Sequence, residues 1–532
     1  MKLDYALPYP SQRPIVIARN VVATSQPLAA QAGLRMLQLG GNAVDAAIAT
    51  AITMTVVEPT GNGIGSDAFC ILWDGRQLHG LNASGRAPRA LRPEHVAGTE
   101  SKPARGWGSV TVPGAVSAWV ELSAKFGKLP FETLFEPAIR YARDGYHVTP
   151  LTARGWSYAE KAFAANEFAE FRRGFLPGGR APAAGELFKF PDQARTLELI
   201  AASKGEAFYR GALAEAMVAD AKSNGAPLAL DDLANHRADW VGTVSQAYGE
   251  YELHEIPPNG QGIAALQMLG ILEQVGHGQY PVDSAESLHL QIEAMKLAFA
   301  DAYAHVADRE HMKVRPEQLL DPAYLAARAK LIDPQRAQVP VYGTPPAGGT
   351  IYLTAADESG MMVSFIQSNY YGFGSGVVVP GTGISLQNRG AGFVNQPGHP
   401  NHAEGGKRPF HTIIPAFLTR GGAPVMSFGV MGGPMQPQGH AQMVLRLADY
   451  GQNPQAAADA PRWRVMGGLE VALEDGYSPE TIAGLEARGH VLHRSKVGTD
   501  FGFGGAQLAL RLEDGAYATG SDPRKDGQAV GY

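Results

Sequence analysis

The sequence predicts an α+β protein, because helix and strand signals separate along the chain. Apolar helical runs at 28–39, 43–56 and 283–306 put helix in the first two thirds, while alternating runs at 351–356 and 361–368 put strand in the last third. At 532 residues the chain has a soft prior of about three domains, although a large layered fold absorbs that length as fewer.

The first two helices are broken by Gly40 and Gly41, and Asn42 is placed to cap the second. In the third, Leu288, Ile292, Met295, Phe299 and Ala302 recur at helical spacing, and Asp283 and Glu286 are placed as a capping box. His289 and His305 on this helix read as rim or core residues, since neither has a partner at the spacing of H-E-x-x-H. No metal and no cofactor are expected.

Residues 337–349 hold Pro340, Gly343, Pro345, Pro346, Gly348 and Gly349, a composition that breaks regular structure and marks an exposed linker. The two runs that follow, joined across 357–360, read as a hairpin. Thr350 stands where linker becomes strand. A threonine freed there by cleavage after Gly349 offers a hydroxyl as nucleophile and its own α-amine as general base. The same Gly-Thr step is also ordinary turn punctuation before a strand.

Composition excludes several classes. With 45 Lys and Arg against 51 Asp and Glu, and no long run of one charge, nothing points to nucleic acid. The most apolar stretch, 46–57, is too short to cross a bilayer, and residues 1–20 lack an apolar signal core, so a soluble, cytoplasmic protein is expected. Cys70, the single cysteine, lies between Phe69 and Ile71 and reads as core; no intrachain disulfide and no thiolate metal cluster can form. G-x-S-x-G and P-loop motifs are absent, and Gly61-Asn62-Gly63-Ile64-Gly65 lacks dinucleotide spacing and reads as a tight backbone turn. Three glycine-rich segments follow Thr350, at 372–376, 390–392 and 429–433. Glycine lets backbone N–H groups approach a developing oxyanion, and Gly432 and Gly433 suit that role best.

The chain resembles the γ-glutamyltranspeptidase family of N-terminal-nucleophile hydrolases over nearly its whole length. The resemblance rests on Gly40-Gly41-Asn42-Ala43-Val44-Asp45-Ala46-Ala47, on Val57-Glu58-Pro59 running into Gly63-Ile64-Gly65, and on Val112-Pro113-Gly114 and Ala142-Arg143-Asp144-Gly145. Farther on, residues 257–262, Glu293 to Ala298, Gly432-Gly433 and Ser521-Asp522-Pro523-Arg524 agree in the same order. It implies a four-layer αββα sandwich and a precursor cut between Gly349 and Thr350. A large chain, 1–349, and a small chain, 350–532, would stay associated as one intertwined unit, with any larger oligomer left open. It also implies that Thr350 forms an acyl-enzyme whose tetrahedral intermediate rests against the N–H groups of Gly432 and Gly433, and that Ser368 is a second hydroxyl beside the nucleophile.

Departures from the family pattern bear on the substrate. Where the family commonly reads Thr-Thr-His-Tyr, this chain reads Thr350-Ile351-Tyr352-Leu353. The acidic pair that holds a glutamyl α-ammonium is replaced within Asn388-Arg389-Gly390-Ala391-Gly392, and the paired serines before a proline become His411 and Thr412. Arg86 lies near the place of the family's carboxylate-gripping arginine, at a shorter spacing to Ala87-Pro88. Arg86 and Arg389 are therefore expected to clamp a carboxylate, with Asn369, Tyr370, His411 and Thr412 completing the substrate pocket. Both arginines also have a plain reading as structural ion-pair residues. The leading expectation is an autoprocessing amidohydrolase acting on a small carboxylate-bearing amide, oxamate-like or with a dicarboxylic acyl group. The alternatives are a γ-glutamyl hydrolase or transferase acting on glutathione-like substrates, and an unprocessed, non-catalytic binding protein.

Overall fold

Strand Gly349–Ala356 shows how the layers arise. Successive side chains of a strand point to opposite faces. Ile351, Leu353 and Ala355 are buried among helices such as Ala43–Val57, whereas Tyr352 and Ala356 are buried against Phe417, Met431 and Tyr517 of a second sheet. Thr354, on the second face, exchanges a 2.6 Å hydrogen bond with Ser427 across the gap between sheets. A third core joins that second sheet to the helices Ile263–Val275, Ala285–His305 and Met435–Ala448. Three apolar interfaces, helix on sheet, sheet on sheet and sheet on helix, make the αββα sandwich.

The computed structural model describes residues 9, 13–96, 104–340, 349–498 and 500–532. Residues 341–348, most of the expected linker, lie outside the described residues. One sheet runs in spatial order Gln528–Gly531, Val21–Thr24, Gly349–Ala356, Met362–Tyr370, Asp67–Trp73, Leu78–Ala83 and Asp239–Trp240. The other runs Val16–Ala18, Tyr517–Ser521, Gly505–Arg511, Ala423–Met431, Ala416–Arg420, Tyr251–Glu255 and Val244–Tyr248. Each sheet thus takes strands from both sides of the Gly349–Thr350 bond. The expected hairpin is present, with Gly349–Ala356 antiparallel to Met362–Tyr370.

Helix Ala43–Val57 is buried along its whole length, and Asn42 caps it: its Oδ1 accepts from the N–H groups of Val44 and Asp45, while Asp45 accepts from Asn42 N. The long helix begins later than its sequence pattern indicates. Ser284, not Asp283, is the cap, accepting from Ser287 N at 3.2 Å. Asp283 instead pairs with buried Arg446 at 2.8 Å, and Glu286 pairs with Arg488 at 2.9 Å, so charge pairing displaces the expected capping box. No described helix is long and apolar enough to cross a membrane.

Candidate active site

Thr350 sits at the start of its strand, buried, at a break in the ladder between Gly349 and Ile351. Its hydroxyl donates to Ser368 Oγ at 3.2 Å, and Ser368 Oγ also accepts from Tyr370 N at 2.8 Å. Gln436 Nε2 donates to Thr350 Oγ1 at 3.5 Å, and its Oε1 is fixed by Ile414 N at 2.9 Å. Gly349 lies opposite Tyr370 in the ladder. The residue before Thr350 therefore faces Tyr370.

Two glycine turns close around this point. A Cβ on Gly61 would stand 3.1 Å from the Thr350 carbonyl oxygen and one on Gly63 only 2.0 Å from Ser385 Oγ, so the 61–65 turn needs glycine for close approach. On the other side, strand Ala423–Met431 passes into helix Met435–Ala448 through Gly432 (φ 120°) and Gly433 (φ 62°), a left-handed pair that few other residues tolerate. Their carbonyls accept from Met435 N and Gln436 N, while their own N–H groups have no backbone partner among the described residues. Those N–H groups, at the positive end of a helix, favour an anion.

Thr350 and Gly432 share a cavity of about 770 Å³. Tyr158, Tyr371 and Phe501 supply aromatic surface to it, and Arg105, Arg154, Lys525, Glu58 and Asp526 supply charge. Burial pushes the Glu58 carboxyl up to about 7 against the pull of Lys525 and of a 2.6 Å hydrogen bond from Ser25.

Beyond Tyr370 lies Arg389, fully buried, its guanidinium 4.7 Å from the Tyr370 ring. Nη1 donates to Thr412 Oγ1 at 2.7 Å, whereas Nε and Nη2 have no partner among the described residues. Behind it, His411 Nδ1 accepts from Ile413 N and its Nε2 donates to Asp67 Oδ2 at 3.1 Å. Asp67 also accepts from Gly85 N and Gly114 N. Burial and the charge of Arg389 hold His411 neutral, and burial raises Asp67 to about 7. Gln261 Nε2 donates to both Thr412 O (2.6 Å) and Gly433 O (2.9 Å), tying the Arg389 cluster to the glycine turn.

A layered sandwich with a buried threonine, a helix-tipped glycine turn and a buried arginine nearby is suited to acyl transfer. Residues 29–532 match the model for γ-glutamyltranspeptidase. The chain belongs to the γ-glutamyltranspeptidase family. It is 36% identical to the glutathione hydrolase-like YwrD proenzyme of Bacillus subtilis over 97% of this chain and 99% of that protein. It is 37% identical to the oxamate amidohydrolase proenzyme of Klebsiella pneumoniae, with the same shares. The cephalosporin acylase of Bacillus halodurans superposes with a TM-score of 0.94 at 48% identity, covering 100% of this chain and 99% of that one. The protein is an enzyme of this family, an autoprocessed amidohydrolase close to these acylases.

Set in this family's fold, the expected site residues divide into three groups. Thr350 and Gly432 line the cavity, with Ser368 hydrogen-bonded behind Thr350 and Gly433 next along the turn, and Tyr370, Arg389 and Thr412 form a buried cluster beside them. Asn369 and His411 support this pocket: the Asn369 amide is engaged by Ser66 and Ser385, and both His411 ring nitrogens are engaged. Arg86 is a correction. It donates to Asp308 at 2.8 Å and to Gly406 O at 3.2 Å, and lines a separate cavity of about 350 Å³ with Arg237 and Arg408, because the Asp308 carboxylate draws it away from Thr350. Gln436, Gln261, Asp67 and Glu58 carry no spacing signal and escaped the sequence reading. The hydrogen-bond partners of their side chains lie from 18 to 344 residues away along the chain.

His289, Glu293 and His490 bring potential ligand atoms within 4.8 Å of one another. The two histidines already share a 2.8 Å hydrogen bond, and Glu293 pairs with Lys296 at 2.8 Å. An ammonium at that carboxylate disfavours a cation there, and the cluster reads as buried polar packing that also holds Gln338.

Proposed function

We propose that the protein hydrolyses an amide whose small acyl half carries a carboxylate, through a threonyl acyl-enzyme formed on Thr350 after cleavage of the Gly349–Thr350 bond. The observation that carries this reading is Arg389: a buried guanidinium with two unpartnered N–H donors, stacked on the residue that faces Gly349. In the precursor, Gly349 supplies the acyl carbonyl that Thr350 attacks. A substrate acyl group takes the same place afterwards, which sets its far end against Tyr370 and Arg389. A carboxylate there satisfies donors that are otherwise costly to bury.

The hydroxyl of Thr350 donates to Ser368 and accepts a long contact from Gln436, and these two partners orient it for attack. Once cleavage frees the α-amine, that amine takes the hydroxyl proton as the C–O bond forms, and later returns it to the leaving amine. The N–H groups of Gly432 and Gly433 receive the oxyanion. Water then attacks the ester, the amine accepts its proton, and the acid leaves as Thr350 recovers its hydroxyl. The γ-glutamyl alternative lacks support at this pocket, since Asp67 is turned to His411, Gly85 and Gly114 and leaves no carboxylate for an α-ammonium.

Purified, processed protein assayed with oxamate, a glutaryl amide and a γ-glutamyl anilide tests the assignment. Turnover of oxamate or the glutaryl amide well above the γ-glutamyl compound is expected. The reverse order would overturn it.

A further inference from the structure

We infer that Lys525 and Arg154 form an anion subsite for the amine half of the substrate, so that the amine released by this enzyme bears a carboxylate or similar anionic group. The inference rests on the amide-hydrolase reading above and assigns the half of the substrate that the Arg389 pocket does not touch. Both side chains line the cavity that holds Thr350 and Gly432. They flank one ring: the Arg154 guanidinium carbon is 4.6 Å from the Phe501 centroid, and Lys525 Nζ is 5.2 Å from it.

The charge balance of the cavity is what makes these two cations available. Arg105 is committed to the carbonyls of Gly372 and Gly374. Asp526 is saturated, because its carboxylate accepts from Leu151 N, Thr152 N and the hydroxyls of Thr149 and Thr152, capping helix Pro150–Ala162 from outside. Glu58 takes the Ser25 hydroxyl, and desolvation disfavours its charged form. Lys525 has no carboxylate within ion-pair distance among the described residues, and Arg154 makes a single hydrogen bond, Nη2 to Gly498 O at 2.6 Å. The Lys525 stem is pinned against Gly505, where a Cβ would meet its Cγ at 2.6 Å, so the ammonium is held in place. Glu58, Asp522 and Asp526 act on Lys525 only through space and none forms a close ion pair with it, so a fixed, dehydrated ammonium keeps its donors for an arriving anion.

Size points the same way. A cavity of about 770 Å³ with Tyr158, Tyr371 and Phe501 on its walls is far larger than an ammonia leaving group needs. It falls within the roughly 300–1,000 Å³ typical of sites for drug-sized molecules. The structure therefore favours a cyclic or aromatic amine carrying an anion over a bare amide nitrogen.

The test uses two amides with one acyl group, glutaryl-3-aminobenzoate and glutaryl-anilide, and the processed wild-type enzyme with Lys525→Met and Arg154→Met. Wild type is expected to favour the aminobenzoate amide by about tenfold in kcat/KM, through KM, with the preference shrinking as salt is added. Each substitution is expected to cut that preference about fivefold or more. A wild-type ratio near one, or equal losses on both amides, would overturn the subsite. If neither amide is hydrolysed, the acyl assignment fails instead. The subsite is then decided by the free amines: stronger thermal protection by 3-aminobenzoate than by aniline, erased in Lys525→Met, upholds it, and equal protection refutes it.

Discussion

Replacing Arg389 by Met separates recognition from folding. If the guanidinium exists to hold up the fold, its loss destabilises; if it exists to bind substrate, the opposite balance applies. Its structural credits are one hydrogen bond to Thr412, one stacking contact on Tyr370 and the attraction of Asp67, together about 3 kcal/mol. Against them stand two buried nitrogens, Nε and Nη2, without partners among the described residues, at about 1–3 kcal/mol each, and the desolvation that lowers its own pKa to about 10. Arg389→Met is therefore expected to leave the unfolding temperature unchanged or higher. Turnover should move the other way. Loss of a two-pronged, charge-assisted contact of about 3 kcal/mol corresponds to a fall of about a hundredfold in kcat/KM for a carboxylate-bearing acyl amide. Arg389→Lys keeps the charge but loses the fork and should recover only part of it. The assays are thermal unfolding together with kinetics on glutaryl and butyryl amides of the same amine. A clear drop in unfolding temperature, or equal kinetic losses on both amides, would refute the reasoning.

Other expectations follow from the same geometry. Thr350→Ala should abolish both chain splitting, read on a denaturing gel, and turnover; full activity in that variant would remove Thr350 from the mechanism. Gly432→Ala places a Cβ 3.0 Å from Gly504 Cα at a φ of 120°, so kcat should fall about a hundredfold as the oxyanion donors shift, with a smaller change in KM. Gln436→Leu removes a long, 3.5 Å donation to the nucleophile oxygen and should slow both self-cleavage and turnover about tenfold, measured by gel time course and kcat. Glu58, facing Lys525, Asp526 and Tyr146, has its pKa raised to about 7. Above that pH its negative charge offsets Lys525, so KM for an anionic-amine amide should rise as pH passes about 7, and Glu58→Gln should flatten the profile. The linked stability has a definite sign. The Glu58 contribution is complete below its ordinary value of 4.5 and is lost as pH rises towards 7; chemical denaturation at pH 5 and 8 should show a smaller difference in the glutamine variant.

Local pattern carried much of the architecture. The hairpin around 357–360 and the helices Pro27–Gln38 and Ala43–Val57 were legible because period-two and helical spacing, with a cap at Asn42, depend on near neighbours. Thr350 was legible as a linker-to-strand boundary, and the glycine pair at 432 and 433 as a backbone that must come close to something. What spacing could not resolve was which cavity a side chain enters. Arg86 reads as a carboxylate clamp along the chain, yet Asp308, 222 residues away, claims it. Gln436 belongs to no motif and Gln261, although inside the 257–262 segment, carries no sign of its role there, and both roles arise only when Thr350, Thr412 and Gly433 are brought together in the fold. The shift of the long helix cap from Asp283 to Ser284 has the same origin, a distant arginine outbidding a local hydrogen bond.

The proposed cleavage between Gly349 and Thr350 would let one chain become two without losing its site. The ladder between Gly349–Ala356 and Met362–Tyr370 is irregular between Gly349 and Ile351 and regular from Ile351 onward. Breaking the Gly349–Thr350 bond would give up one pairing at the strand end, opposite Tyr370, and leave Ile351 to Ala356 in register with Met362–Tyr370 and Leu353 to Ala356 in register with Val21–Thr24. The sheets provide the rest of the restraint. Val21–Thr24 from before the bond lies between Gly349–Ala356 and Gln528–Gly531 from after it, and Tyr251–Glu255 lies beside Ala416–Arg420 in the other sheet. Separation of the two pieces would expose strand edges and apolar faces in both sheets at once.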